Sequence, residues 1–131
     1  MAEAYAIRGV VHFIQGGLNL SLEDFEVYCR LKKDDPLGHN NRAFILFQLG
    51  RTAEAERAWK RATKLTNASH YAFAGHAIAL QKLKRYMQAK SKFQIAINMD
   101  TRWSDDIQGI AKEFLWTDEM IRLAQEIAKQ F

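Results

Sequence analysis

The chain has 131 residues, 48% of them hydrophobic and 26% charged, which is the balance of a soluble folded protein rather than of a disordered one. Its length suits one domain with a sizeable core. A single cysteine, Cys29, excludes an internal disulfide, and no apolar run approaches the ~20 residues of a membrane-spanning helix. We therefore expect a single-domain cytoplasmic protein.

The net charge of +4 is unevenly distributed along the chain. Residues 51–92 carry ten basic and two acidic side chains, whereas residues 93–131 carry four basic and seven acidic ones. Because clustered positive charge attracts polyanions, an acidic protein and nucleic acid are both candidate partners of the basic segment.

The first predicted helix pair contains a short apolar run, Gly9–Ile14, which follows Glu3. The run is too short for a secretion signal and lacks the basic start of one. A bare glycine pair, Gly16-Gly17, then predicts a turn, but it has neither the lysine nor the spacing of a phosphate-binding loop. We expect a helix on each side of this turn.

The second predicted pair ends in a helix over residues 52–65, which Thr52 is expected to cap. Ala55, Trp59 and Ala62 recur along it at spacings of three and four residues, and such spacings place side chains on one face. Small side chains on that face let two helix backbones approach closely, while the tryptophan fills the wider gap between pairs.

The third predicted pair consists of helices from about His70 to Lys82, capped by Ser69, and from about Tyr86 to Asn98. Two further helices are expected over residues 104–115 and from the cap Thr117 to the end. Because an array of helix pairs exposes its last apolar face unless something covers it, the final two helices are interpreted as a cap.

A shift of 34 residues aligns each predicted pair with the next. Ala55 falls on Ala89 and Trp59 on Phe93, so that small residues match small ones and aromatic residues match aromatic ones. Such a period is the mark of a repeat architecture.

A 34-residue helix–turn–helix unit with alanine, aromatic and alanine along its second helix resembles the tetratricopeptide repeat, most clearly over residues 39–99. The resemblance implies an all-α fold, a right-handed α-solenoid of antiparallel helix pairs, in one domain over residues 1–131. It implies repeats over about 2–35, 36–69 and 70–103, with capping helices over 104–131.

The first repeat can be aligned in two registers. The 34-residue shift places bulky Tyr28 where the other repeats have alanine, whereas a 31-residue shift pairs it with Trp59. The second register predicts a longer turn over 16–20, a helix beginning at Ser21 and a shortened helix after Pro36. We favour the second register, and the first stays open.

Catalysis is not predicted, because no constellation of catalytic residues is present. The histidines His12, His39, His70 and His76 form no pair with metal-ligand spacing, and Cys29 is expected to be a buried structural thiol. We therefore predict a protein without a metal, a cofactor or a catalytic residue.

The resemblance implies a partner-binding groove on the first helices of the repeats. In this family those helices line a concave surface, where amides bond a peptide backbone and aromatic rings hold apolar side chains. The residues expected to line it are Asn40, Asn41, Phe44, Phe47, Gln48, Tyr71, Ala74, Ile78, Gln81, Lys82, Asp105, Gln108 and Lys112. Phe44 fits packing between helices equally well.

The predicted function is that of a noncatalytic scaffold or assembly factor that binds a peptide segment or a partner protein. Asn41 matches an asparagine of the subtype that binds heat-shock-protein tails, but the lysine and arginine expected with it are absent, so such a tail is not predicted. A client-binding chaperone is the first alternative.

A nucleic-acid-associated protein that uses the basic convex helices is the second alternative. The residues involved would be Lys60, Arg61, Lys64, Lys90 and Lys92. A solvated charged face is the favoured interpretation of these residues, and an acidic partner comes next. A homodimer through the terminal helices also stays open, because Trp103, Trp116 and Phe131 offer more apolar area than a cap requires.

Overall fold

The computed structural model describes all 131 residues, which form α-helices joined by short turns, so the prediction of an all-α fold is confirmed. The helices are α1 (Ala2–Ile14), α2 (Leu18–Leu31), α3 (Pro36–Gln48), α4 (Thr52–Thr63), α5 (His70–Lys82), α6 (Tyr86–Met99), α7 (Arg102–Asp105), α8 (Ile107–Glu113) and α9 (Asp118–Ala128). None of them combines the length and the apolar character that crossing a bilayer requires.

The chain divides into two compact units. In the unit Met1–Ala68, α1 packs on α2, α2 on α3, and α3 on α4. In the unit Ser69–Phe131, α5 packs on α6, and α9 packs on α5, α6 and α8. A single domain of three repeats and a capping pair stays a prediction.

Three turns of the same construction join the two helices of each pair. Gly16, Gly50 and Lys84 adopt left-handed backbone conformations, with φ of 84°, 80° and 63°. The N–H of the residue after each of them donates to the carbonyl oxygen five residues earlier, at 2.7–2.9 Å. This is the Schellman arrangement that ends a helix, and here it recurs every 34 residues.

The 34-residue register therefore holds in the first repeat, and our preference for the 31-residue register is wrong. The glycine pair completes the turn by itself, so α2 begins at Leu18 rather than Ser21. The helix after Pro36 is not shortened, since α3 has 13 residues, as many as α5. The Ser21 hydroxyl lies inside the helix pair and donates to the Gly9 carbonyl oxygen at 2.8 Å.

Each repeat buries a small side chain and, four residues later, an aromatic one. The small residues are Ser21, Ala55 and Ala89, and the aromatic ones are Phe25, Trp59 and Phe93. The small side chain lets the two helices of a pair approach, and the aromatic ring removes a large apolar area from water.

Tyr28 lies where the second repeat has Ala62, and both side chains are buried. The room for the larger ring comes from Gly38 on α3, because a Cβ atom on this glycine would lie 2.6 Å from Tyr28 Cδ1. Gly9 leaves room for the Phe25 ring in the same way, because a Cβ atom on this glycine would lie 2.8 Å from Phe25 Cε2. A missing side chain on one helix thus offsets a bulky one on its neighbour.

Two predicted helix caps differ from the structure. Thr52 is the first residue of α4 rather than its cap, and Arg51 precedes the helix. Ser69 stands at the N-cap of α5 without accepting a hydrogen bond there. The apolar faces of these helices, rather than side-chain caps, determine that they form.

The helix predicted over 104–115 is interrupted near its start. α7 ends at Asp105, and the Asp106 side chain caps α8 by accepting a hydrogen bond from the Gly109 N–H at 3.1 Å. The cap predicted at Thr117 is confirmed, because its hydroxyl oxygen accepts from a backbone N–H of the first turn of α9.

The C-terminal tryptophans are core residues. Trp103 is 0% and Trp116 8% exposed, and their ring centroids lie 4.9 Å apart. They offer no spare apolar area to a second copy, so this argument for a homodimer is wrong. Of the three aromatic residues named for it, only Phe131 is exposed, and Lys90 Nζ lies 5.2 Å from the centroid of its ring.

Candidate partner-binding surface

The first helix presents an apolar face to solvent. Ile7 and Ile14 are 66% and 72% exposed, and Val10 and Val11 between them are 44% and 43% exposed. Residues three, four and seven positions apart lie on one side of a helix, so the four side chains form a continuous stripe. Single exposed apolar residues are ordinary, whereas a contiguous stripe marks a surface suited to a partner. We call these four residues the α1 stripe.

An aromatic contact joins α1 to α3 inside the same unit. The rings of Phe13 and Phe44 meet edge to face, with centroids 5.4 Å apart, and both side chains are half-buried. Phe44 therefore packs between helices and still keeps part of its ring accessible to a ligand.

A charged cluster fixes α1 against α2. Arg8 Nε and Nη2 donate to the Asp24 carboxylate at 2.7–3.1 Å, and His12 Nδ1 lies 2.9 Å from Asp24 Oδ2. Hydrogen bonding by Arg8 is the main reason that the pKa of the buried Asp24 carboxyl lies below its usual value. The stripe is therefore displayed on a helix that has a fixed orientation in its unit.

The residues predicted on α3 differ in burial. Asn41 and Gln48 are half-buried, so a partner can reach them. Phe47 is 3% exposed, and its ring centroid lies 5.9 Å from that of Trp59, inside the core. Asn40 is 2% exposed, and neither its amide nitrogen nor its amide oxygen has a hydrogen-bond partner. An unpaired buried amide is costly, and at this depth Asn40 belongs to the interior of its unit rather than to a surface that a partner can reach.

The residues predicted on α5 lie mostly in the interior of the unit Ser69–Phe131. Ala74 and Ile78 are 0% exposed, and Gln81 is 6% exposed with its amide oxygen unpaired. Lys82 is half-buried, and its Nζ lies 3.1 Å from Glu119 Oε2 on α9. Of these four, Lys82 is the most accessible.

Tyr71 belongs to an aromatic cluster at the start of α5. Its ring stacks on Phe114, with centroids 4.4 Å apart, and remains half-buried. His70 Nδ1 accepts a hydrogen bond from Trp103 Nε1 at 3.0 Å, and burial lowers the pKa of this histidine. The remaining predicted residues, Asp105, Gln108 and Lys112, are exposed.

The histidines and the cysteine all have structural surroundings. His39 Nε2 lies 2.7 Å from the Lys33 carbonyl oxygen, and His76 is 3% exposed. No group of three or more histidine, cysteine, aspartate or glutamate side chains is placed to hold a metal ion. Cys29 is half-buried rather than enclosed, and burial raises the pKa of its thiol to about 11, so little thiolate exists at neutral pH.

The basic residues named for nucleic acid belong to different units. In the first unit, Lys60 and Arg61 are exposed on α4, and Lys64 is exposed just after it. Lys90 and Lys92 are half-buried on α6 of the second unit. Each unit therefore carries only some of the five basic residues named for nucleic-acid binding.

Sequence reasoning missed the α1 stripe. In the sequence, the run Gly9–Ile14 predicts no partner surface, and Ile7 lies outside it. The spacing of Ile7, Val10, Val11 and Ile14 on one helix side was a readable signal, but spacing cannot show which apolar side of a helix a neighbour covers.

Comparison with known proteins identifies the repeat. The family model described as the tetratricopeptide repeat matches residues 36–69. Among curated proteins, no significant match to the sequence was found.

Solved structures match nearly the whole chain. The first tetratricopeptide-repeat (TPR) domain of Spaghetti (RPAP3), bound to the HSP90 peptide SRMEEVD, aligns with a TM-score of 0.78 and 18% identity, covering 98% of this chain and 91% of that one. The TPR2B domain of yeast Sti1, in a pHsp70 complex, aligns with a TM-score of 0.77 and 20% identity, covering 99% of this chain and 98% of that one. The Arabidopsis OM64 TPR domain aligns with a TM-score of 0.77 and 15% identity, covering 99% of this chain and 96% of that one.

These structural likenesses establish the fold, and the matched repeat establishes the kind of unit from which it is built. The predicted resemblance is therefore confirmed. One tetratricopeptide repeat is recognised in the sequence at residues 36–69, and the chain has the fold of tetratricopeptide-repeat domains over nearly its whole length.

Proposed function

We propose that the chain is a noncatalytic protein-interaction module that acts as a scaffold or assembly factor in the cytoplasm. It binds an apolar peptide segment or the apolar face of a partner protein. The observation that carries this proposal is the α1 stripe, which exposes Ile7 and Ile14 by 66% and 72% on a helix fixed in its unit.

The solved relatives support a peptide as the ligand. The TPR domain of Spaghetti (RPAP3) is bound to an HSP90 peptide, and the TPR2B domain of yeast Sti1 is in a pHsp70 complex. An acidic tail needs cations, however, and the only basic side chains on α1 are Arg8 and His12, which both contact Asp24. We therefore propose an apolar ligand, rather than an acidic tail, for the α1 stripe.

Further contacts are proposed on the first helices of the other repeats and on the closing helices α7 and α8. In the first unit they are Asn41, Phe44 and Gln48, and in the second unit they are Tyr71, Lys82, Asp105, Gln108 and Lys112. The buried Asn40, Phe47, Ile78 and Gln81 support the helices that carry these residues rather than contact a partner themselves.

Affinity purification of the full chain from its native cell, at low and at high salt, tests the proposal. Ile7→Glu combined with Ile14→Glu should lower recovery of the partner protein about tenfold or more, because each change places a charge in an apolar contact. Met87→Glu combined with Met99→Glu is the matched control, since both methionines are exposed on α6. Equal recovery with the two double variants would contradict the proposal.

Salt separates this function from nucleic-acid binding. Apolar contacts persist at high salt, whereas a phosphate-backbone contact is lost. Recovery of nucleic acid alone, and its release at high salt, would rule out the scaffold.

A client-binding chaperone is the alternative that the same apolar stripe allows. A scaffold should copurify with one folded partner in fixed stoichiometry. A chaperone should instead suppress the aggregation of an unfolded client and release it when the client folds, and light scattering during client refolding distinguishes the two.

A further inference from the structure

Basic side chains from three helices of the first unit, and from the loop between α2 and α3, surround an open cleft of about 460 Å³. The cleft lies among α2, α3 and α4, and α1 contributes no side chain to its lining. Its basic residues are Arg30, Lys33, Arg42, Arg57 and Arg61. Two acidic residues, Glu26 and Glu54, also line it, so positive charge prevails.

The two acidic residues leave most of that positive charge uncompensated. Glu54 pairs with Arg51, which lies outside the lining, at 2.7 Å. Glu26 Oε2 lies 3.7 Å from Arg42 Nη2. The four other basic residues of the cleft, Arg30, Lys33, Arg57 and Arg61, form no ion pair within 4.0 Å. Concentrated unpaired cations raise the local concentration of anions.

The electrostatics of Cys29 shows that these cations converge. This thiol on α2 lines the cleft, and burial is the main influence on its pKa. Arg42 on α3 and Arg61 on α4 act against burial by favouring the thiolate. Guanidinium groups from two other helices thus lie close enough to α2 to stabilise a negative charge there.

We infer that this cleft is a second binding site, which takes an acidic peptide segment of a partner protein. Guanidinium groups bind carboxylates through paired, charge-assisted hydrogen bonds. Arg57 and Arg61 lie one helical turn apart, about 5–6 Å, so they suit carboxylates placed at intervals along a chain rather than one small anion.

The lining fits a peptide better than a nucleic acid. It contains no phenylalanine, tyrosine or tryptophan on which a base could stack. Glu26 and Glu54 interrupt the positive surface, and a uniformly charged phosphate backbone would meet both of them. A peptide can place neutral or basic side chains at those two positions and acidic ones opposite the arginines.

Fluorescence anisotropy on the full chain tests the inference. The probe is a short fluorescein-labelled peptide in which glutamate alternates with serine, and the matched peptide carries glutamine in place of glutamate. The acidic peptide should bind and the glutamine peptide should not. Arg57→Gln combined with Arg61→Gln should weaken binding about tenfold or more, through the loss of charge-assisted hydrogen bonds.

The matched control is Lys60→Gln combined with Lys64→Gln. Lys60 lies on the same helix, Lys64 is the residue that follows it, and both are outside the cleft lining, so the variant removes equal charge nearby. Binding should then change by less than about twofold, because exposed charges at a distance are screened. Cys29 adds a local readout: as the only thiol, it should be alkylated more slowly when the acidic peptide occupies the cleft.

Three results would overturn the inference. Equal losses in the two double variants would mean that net charge alone attracts the peptide. Stronger binding of a labelled oligonucleotide than of the acidic peptide would make the cleft a nucleic-acid contact. Displacement of the peptide by an equal concentration of inorganic phosphate would reduce the cleft to a small-anion site.

Discussion

Trp59 is the largest of the three buried aromatic side chains that recur every 34 residues, and it supports both helices of its pair. It is 2% exposed, with its ring centroid 5.9 Å from that of Phe47. Trp59→Ala should cost about 3–5 kcal/mol in the free energy of unfolding, because it leaves a cavity in the core. Denaturant unfolding measures the loss, with Met87→Ala, at an 87% exposed position, as the control. A loss below about 1 kcal/mol would contradict the core position.

Gly38 and Tyr28 should be energetically coupled. Gly38→Ala places a methyl group 2.6 Å from Tyr28 Cδ1 and should cost about 1–3 kcal/mol through overpacking. In a Tyr28→Ala background the same methyl group meets no ring, so its cost should fall by at least about 0.5 kcal/mol. A double-mutant cycle of unfolding free energies measures this coupling, and additive effects would contradict it.

Asp24 should make stability depend on acid pH. Hydrogen bonding by Arg8 lowers the folded-state pKa of Asp24, so its contribution is fully present above the unfolded-state pKa, about 4. The contribution is lost as the pH falls through the lower folded-state value. Asp24→Asn should lower the free energy of unfolding by about 1–3 kcal/mol at neutral pH. Below about pH 5, the free energy of unfolding of the variant should fall less steeply with pH than that of the unchanged protein. Unfolding curves from neutral pH to about pH 3 test this, and parallel profiles for the two proteins would refute it.

At the scale of elements, the turn between α5 and α6 carries backbone strain that the two earlier turns avoid. Lys84 has a φ of 63°, in a conformation that glycine adopts at the equivalent positions. Lys84→Gly should raise the free energy of unfolding by about 0.5–1 kcal/mol, because relief of strain exceeds the added flexibility of the unfolded chain. Lys84→Ala is the control, as it removes the charge and keeps the strain. Equal effects of the two changes on denaturant unfolding would count against this account.

The helices could largely be predicted from the sequence, whereas the register of the first pair could not. Periodic apolar residues predicted α5 over the same residues as the structure, because such a face forms a helix wherever it can be buried. The prediction that a helix begins at Ser21 is wrong because a serine before acidic residues has the same sequence pattern whether it caps a helix or buries its hydroxyl. Only the tertiary contact with the Gly9 carbonyl separates the two cases.

At the scale of the whole molecule, the α1 stripe and the basic cleft should respond differently to salt. Raising the ionic strength from about 0.05 to 0.5 M shortens the Debye length severalfold, so acidic-peptide binding should fall about tenfold or more. Partner binding through Ile7 and Ile14 should change by less than about threefold, since burial of apolar surface does not depend on screening. Anisotropy and quantitative affinity capture at matched salt concentrations measure the two responses. Parallel salt dependence would contradict the separation of the two sites.

The binding surfaces were less predictable than the fold, for a physical reason. Repeat positions indicate which helix bears a residue, but burial depends on neighbours distant in sequence, as the enclosed Phe47 and Ile78 show. The basic cleft brings Arg30 of α2 together with Arg57 of α4, and no sequence period links them. The residues that form such surfaces can be identified only once the packing of the helices is known.

The close fit of Gly38 against Tyr28 also limits how these two positions can change in sequence. As long as Tyr28 is present, a Cβ atom at position 38 would lie 2.6 Å from its ring, so alanine there costs about 1–3 kcal/mol in overlap. A smaller residue at position 28 removes the ring, and the residues that position 38 tolerates therefore depend on the residue at position 28. Neither position is free to change independently of the other.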